Sequence, residues 1–142
     1  MPPAGLIDTG AILALLDRND AWHAACVEAY NRTRLPLLTS EAVLTEVFHL
    51  SQRNLGAIRG VWTLLYSGAI QMSPITNQEL SEIRTLMDDY SDRPMDFADA
   101  TLVHLAARES LDLILTVDHD DFDTYRIGGR KRFSIRPGRI GK

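Results

Sequence analysis

The chain has 142 residues, 45% of them hydrophobic and 24% charged, with a formal net charge of −4. That balance excludes a disordered segment, and a chain of this length forms one domain that buries roughly 68–70% of its unfolded surface. The longest apolar run, Ala11 to Leu16, has six residues where a membrane span needs roughly 20. The single cysteine, Cys26, excludes an internal disulfide or a zinc site of several thiolates.

No basic segment precedes that run, and Asp8 interrupts the place where a signal peptide would carry its apolar stretch. A soluble, cytoplasmic, single domain over residues 1–142 is expected. Its charge is uneven: residues 126–142 hold seven basic side chains and no acid. Removing them from the 15 basic residues of the chain leaves residues 1–125 with eight against all 19 acids, a net of −11. The basic end either tracks phosphates or is a solvated face.

In chain order, Gly5 to Asp8 reads as a buried strand ending in an acid, and Thr9 opens a helix to about Arg18. A second helix covers Ala21 to Arg32, and Leu37 to Thr39 is a short strand. Ser40 then caps a helix from Glu41 to about Arg53. Gly56 precedes a helix near Ala57–Tyr66, Ile70 to Met72 is a strand closed by Pro74, and Asn77 to about Tyr90 is a helix. After Pro94, a helix runs from Asp96 to Glu109. The clearest strand is Leu113 to Val117, followed by Asp118. Ile127 to Arg130 reads as a hairpin turn before a strand over Arg132 to Ile135. Short apolar strands alternating with helices predict an α/β fold with a parallel sheet covered on both faces. Trp22, Trp62 and Cys26 are expected in the core, although a groove for a protein partner would also want exposed apolar surface, and His49 and His104 are expected in packing or surface roles.

The acids carry the functional signal. Asp8 and Asp118 each follow a strand, at the carboxyl rim where open α/β sheets bind ligands. At 100° per residue, Asp99 falls within the apolar arc of Leu102, Val103 and Ala106, and Glu46 lies at the edge of the arc of Val43, Val47 and Leu50. Two carboxylates 4 Å apart repel by roughly 4 kcal/mol at an effective dielectric near 20, and no Lys or Arg stands near these positions in sequence. A hard divalent cation is the simplest counter-charge for an all-oxygen set. The structural readings are that Asp8 caps the helix at Thr9, that Asp99 pairs with Arg108 or Arg93, and that Glu46 is solvated. Asp96 would cap its own helix.

Leu6-Ile7-Asp8-Thr9-Gly10-Ala11, Leu44-Thr45-Glu46-Val47, Asp96-Phe97-Ala98-Asp99-Ala100, and Leu115-Thr116-Val117-Asp118 with Asp121-Phe122 resemble the four acidic motifs of PIN domains. Their order and spacing are most similar to the VapC-type ribonuclease toxins of bacterial toxin–antitoxin pairs, from Leu6 to about Pro137. The resemblance implies a PIN-like three-layer α/β/α fold with a central parallel sheet of about five strands. It implies catalytic and metal-ligating roles for Asp8, Glu46, Asp99 and Asp118. Supporting roles fall on Thr9, Thr116 and the additional acid Asp96. One or two Mg²⁺ or Mn²⁺ ions, an RNA substrate, a cognate antitoxin and a homodimer are implied with it. Glu46 is open between ligand and base. In the basic segment, Arg126, Arg130 and Arg132 are expected to contact RNA phosphates. Many relatives carry Ser after the Asp-Thr pair, where this chain has Gly10.

The competing functions are a PIN nuclease of RNA processing or decay and a non-catalytic RNA- or protein-binding domain. An Asp-nucleophile phosphatase would want a second Asp at the position of Gly10. A receiver domain would want a lysine outside the basic end, and the only lysines are Lys131 and Lys142. A compact chain without an added domain favours the toxin.

Overall fold

A computed structural model describes residues 2–139. The first strand, β1 (Gly5–Ile7), leads into α1 (Thr9–Leu16), and α2 (His23–Asn31) follows. The next unit is β2 (Leu37–Thr39), α3 (Glu41–Leu50) and α4 (Leu55–Tyr66), closed by β3 (Ile70–Met72). A 3-10 turn (Asn77–Glu79) starts α5 (Leu80–Asp89), and α6 (Phe97–Glu109) precedes β4 (Leu113–Leu115). The chain ends with α7 (His119–Thr124), the hairpin β5 (Arg126–Ile127) and β6 (Lys131–Arg132), and β7 (Ser134–Arg136).

The main sheet has the order β3-β2-β1-β4-β7, and every pairing in it is parallel. Leu6 lies between Leu38 and Ile114, and Leu38 pairs with Gln71. Among the described residues, seven α-helices flank this sheet. β1 and β2 are buried along their whole length, the continuous apolar pattern of strands covered on both sides. α6 is the central helix, buried at every residue from Ala98 to Ala106, and the polar residues within that stretch, Asp99, Thr101 and His104, are each hydrogen-bonded.

From β1 the chain steps to β2 and β3 on one side, while β4 and β7 lie on the other. The order reverses between β1 and β4, and a crevice opens there beyond their carboxyl ends. Asp8 and Thr116 are the residues immediately after those two strands, and the Asp8 amide donates to the Leu115 carbonyl at 2.9 Å.

Several expectations are corrected. β4 stops at Leu115 and not Val117, because the Thr116 hydroxyl turns the chain by accepting the Asp118 amide at 3.0 Å. The strand expected over Arg132 to Ile135 is two strands, broken where Phe133 turns into the core. The acidic run after Asp118 forms α7, which alternating acids do not signal. Trp62 is 45% exposed, stacked at 5.6 Å on Tyr66, so it is not a core anchor. Trp22 packs partly buried against the core, with its ring 5.1 Å from that of His119. Cys26 is fully buried, as expected. His104 is buried and bonded to Glu79 at 2.8 Å, while His49 is exposed.

The basic end is folded. The Gly128–Gly129 turn of its hairpin needs positive φ at both residues (60° and 80°), which glycine adopts without a Cβ penalty. Lys131 and Arg139 pair internally with Asp112 (3.0 Å) and Asp120 (2.7 Å). Lys142 lies outside the described residues.

Candidate active site

Four chain segments bring acids to the crevice. Asp8 ends β1 and caps α1, its Oδ1 accepting the Thr9 amide at 2.7 Å. Its Oδ2 accepts the Thr116 hydroxyl at 3.0 Å. Thr116 also receives the Asp118 amide, so one hydroxyl ties the end of β1 to the end of β4. The Thr9 hydroxyl donates to Glu46 Oε1 at 2.7 Å and holds that side chain from α3 at the rim. Asp96 caps α6 by accepting the Asp99 amide at 2.7 Å. One helical turn in, Asp99 projects from the same helix and its Oδ2 accepts the Tyr125 hydroxyl at 2.8 Å.

Asp8 and Asp99 are each only 7% exposed. A cavity of about 360 Å³ is lined by Asp8, Thr9, Glu46, Asp96, Asp99 and Asp118, with Gly10 and Val117 beside them. No Lys or Arg is among these residues. Every expected acid is therefore brought together, as are the two threonines.

The electrostatics follow from burial without a cation. Asp8 is pushed up to about 6, chiefly by burial, with Asp118 and Glu46 adding repulsion against its two hydrogen bonds. Asp99 is pushed up to about 8, again by burial first and then by Asp8 and Asp96. Asp118 rises to about 6 through burial and the neighbouring carboxyl of Asp121. Burial and mutual repulsion make each of these carboxyls keep its proton to a higher pH than a solvated one does, and a bound cation would reverse that.

Asp121 is a site residue that the sequence reading left without a role. Oxygens of Asp99, Asp118 and Asp121 lie within 4.8 Å of one another. Asp121 also accepts from Arg93 Nη2 at 2.9 Å, so its charge is already partly balanced from the outer side. Arg93 thus pairs with Asp121 and not with Asp99. Arg108 serves Glu79 and Glu109, at 2.7 and 2.8 Å. Neither arginine partners Asp99, and that structural reading is excluded. Asp8 does cap α1, so capping and site placement coexist.

Tyr125 was also missed. Its hydroxyl is buried against Asp99, and burial followed by the charge of Asp99 pushes the phenol strongly upward. Nothing local in sequence marks this residue, because its partner is 26 positions away. The spacing of three from Asp118 to Asp121, one turn of α7, was the available sign for the acid. Of the expected RNA contacts, Arg126 Nη1 donates to the carbonyls of Asp123, Thr124 and Tyr125 at 2.8–3.0 Å, closing the end of α7. Arg130 and Arg132 are exposed on the hairpin.

Gly10 has a steric cause. A Cβ there would meet Val117 Cγ2 at 2.6 Å, so the loop after β4 packs directly on the first turn of α1. The donor set is all oxygen and net negative, with its carboxylates oriented by hydroxyl and amide donors. It fits a hard divalent cation of the Mg²⁺ or Mn²⁺ kind, and Asp8, Asp99 and Asp118, with Glu46 at the rim, could hold one.

Comparison with known proteins identifies the family. The family model for the PIN domain matches residues 5–127. Ribonuclease VapC26 of Mycobacterium tuberculosis is 31% identical over 134 residues, covering 93% of this chain and 99% of that protein. The crystal structure of Mycobacterium tuberculosis VapC20, described as a Sarcin-Ricin loop cleaving toxin, superposes with a TM-score of 0.74. That match has 20% identity and covers 82% of this chain and 92% of the other, a likeness of fold. The chain belongs to the PIN-domain family, and within it to the VapC-type ribonucleases.

Proposed function

We propose that this protein is a divalent-cation-dependent endoribonuclease that acts in the cytoplasm as the toxin of a toxin–antitoxin pair. The observation that carries the reading is the convergence of Asp8, Asp99 and Asp118, all with raised carboxyl pKa values, in a cavity lined by no basic residue. A binding module has no use for mutually repelling buried acids, whereas phosphodiester hydrolysis needs a cation held next to the phosphate.

In this reading Asp8, Asp99 and Asp118 hold the principal cation, and Glu46 completes its shell or serves a second ion. Mg²⁺ or Mn²⁺, when bound, supplies charge neutralisation at the scissile phosphate and activation of water. The protein's own groups set the geometry. Thr9 and Thr116 fix the carboxylates of Glu46 and Asp8, and Tyr125 donates to Asp99 Oδ2 and fixes that carboxylate. Asp96 anchors the start of α6 and so places Asp99. Glu46, with Oε1 engaged by Thr9, has Oε2 available to orient the attacking water and accept its proton. Arg130 and Arg132, exposed on the hairpin, contact backbone phosphates, which positions a strand without reading its sequence, while Arg126 is engaged by carbonyls at the end of α7. Inhibition by a cognate antitoxin and assembly as a homodimer belong to the same reading.

The test is cleavage of a structured RNA mixture by purified protein with Mg²⁺, Mn²⁺ or EDTA, beside an Asp99→Asn variant. Cutting that requires metal and disappears in the variant is the expected result. A folded wild type that binds no divalent cation would remove the basis of the proposal. Growth arrest on induction, relieved by the gene adjacent to this one, separates a toxin from a nuclease of RNA maturation.

A further inference from the structure

A second cavity, about 500 Å³ in volume, adjoins the acid cluster and shares Glu46 and Asp96 with it as a common wall. Its volume lies within the roughly 300–1,000 Å³ of small-ligand pockets. The starts of α3 and α6 form two sides and residues 73–80 the third. Phe97 and Leu80 line it while 47% and 43% exposed, and Ile75, Ala42 and Ala98 add apolar surface.

The third side is held in place. Arg108 donates to the Pro74 carbonyl at 2.9 Å, to Glu79 at 2.7 Å and to the Ser73 hydroxyl. The Thr76 amide and hydroxyl both donate to Glu79 Oε2, at 2.7 and 3.0 Å, which closes the cap at this turn. The groove is therefore formed before any ligand arrives.

Its polar lining narrows the occupant. The hydroxyls are engaged internally: Ser40 with Thr101 at 2.7 Å, Thr101 with the Ala98 carbonyl, and Thr45 with the Glu41 carbonyl. No basic residue lines the groove, and Glu41, Glu46 and Asp96 make it negative. A phosphate is repelled there. A flat, uncharged ring with N–H donors is not: it can lie on Phe97 and donate to Glu41, whose carboxylate has no hydrogen-bond or ion-pair partner among the described residues. Nucleobases meet both requirements, since single-stranded RNA is read by aromatic stacking and by hydrogen bonds to base edges. Guanine presents N1–H and N2–H side by side, matching the two oxygens of a carboxylate.

We propose that this groove is the base subsite next to the scissile bond, with Phe97 stacking one unpaired base of the RNA and Glu41 selecting guanine through its N–H edge. The inference rests on the ribonuclease reading above. It adds to that reading which nucleotide the site prefers and which residues prefer it.

The test uses the full chain carrying Asp8→Asn, with short fluorescent oligoribonucleotides in which each base in turn is replaced by an abasic unit. Binding is read by anisotropy, and Mn²⁺ affinity of otherwise wild-type protein with and without Phe97→Ala by calorimetry. One position is expected where base removal weakens binding about 10- to 100-fold, the range of base–aromatic stacking. That penalty should vanish when Phe97→Ala is added, return with Phe97→Trp, and leave Mn²⁺ affinity unchanged. Glu41→Gln should erase the preference for guanine at that position while keeping the stacking penalty. An abasic profile identical with and without Phe97 overturns the subsite, even if the wild type cleaves RNA normally. Unchanged guanine preference after Glu41→Gln overturns the role of that carboxylate. Absence of both RNA binding and cleavage overturns the ribonuclease reading together with the inference.

Discussion

Replacing Asp8 by asparagine has opposite expected effects on stability and on metal binding. Burial lifts the Asp8 carboxyl from 3.8 to about 6. Its contribution to folding is thus fully present below about pH 4 and is lost as pH rises through about 6, because the native state binds the proton more tightly than the unfolded chain. The shift is about two units, and at about 1.4 kcal/mol per unit the ionised side chain burdens the metal-free fold by about 3 kcal/mol at pH 8. Asparagine removes that burden and keeps an acceptor for the Thr9 amide. It forfeits the hydrogen bond between Thr116 and a carboxylate, at about 1 kcal/mol. The net is a gain of about 2 kcal/mol, or roughly 6 °C in Tm for a domain of this size. Thermal melts of metal-free Asp8→Asn and wild type should separate by that amount at pH 8 and show no gain for the variant at pH 4. Saturating Mn²⁺ should raise the Tm of the wild type, by linkage to the folded state, and leave the variant little changed. A variant less stable than wild type at pH 8, or equally stabilised by Mn²⁺, would refute the view that Asp8 is a strained carboxyl awaiting a cation.

The metal-free wild type should lose thermal stability between about pH 4 and pH 8, as Asp8 and Asp118 (each about 6) and then Asp99 (about 8) ionise in the fold. Mn²⁺ affinity measured by calorimetry should climb over the same interval, since ligation requires the deprotonated groups. Tyr125→Phe removes a buried donor to Asp99 and should lower stability by about 1 kcal/mol in denaturant titrations. It should also weaken Mn²⁺ binding several-fold, because the carboxylate is no longer aimed. Gly10→Ser drives a Cβ into Val117 and should cost about 1–3 kcal/mol as overpacking. Adding Val117→Ala should recover most of that loss, and failure of the double variant to recover would contradict the steric account of this glycine.

Much of the architecture was legible because it is local. Leu6-Ile7 and Leu37-Leu38 are apolar runs too short for helices, and Ser40 and Asp96 are helix caps with their signal in adjacent residues. The topology rule then placed Asp8 and Asp118 at one rim without coordinates. Helical periodicity turned Asp99 inward, and the fold agrees. What escaped was non-local or locally contradictory. Six residues with three aspartates form α7 since Phe122 is buried beneath it, while Asp118 and Asp121 turn toward Asp99 and Asp120 pairs outward with Arg139. Trp62 looked like core because tryptophan usually is, but its helix α4 turns that face outward to stack with Tyr66 and Phe48.

The sequence by itself determined the fold class, the order of the elements as far as β4 and the placement of Asp8 and Asp118 after strands and of Asp99 on a buried helix face, because apolar period, caps and strand-end position are written within a few residues of each other. Only the tertiary structure decided what each acid experiences. Arg93 goes to Asp121 and Arg108 to Glu79, so Asp99 is left with a tyrosine and no counter-charge. Gly10 is set by Val117, more than a hundred positions later. Partners and clashes of this kind depend on which faces meet across the β1–β4 switch, and that is a property of packing rather than of any one segment.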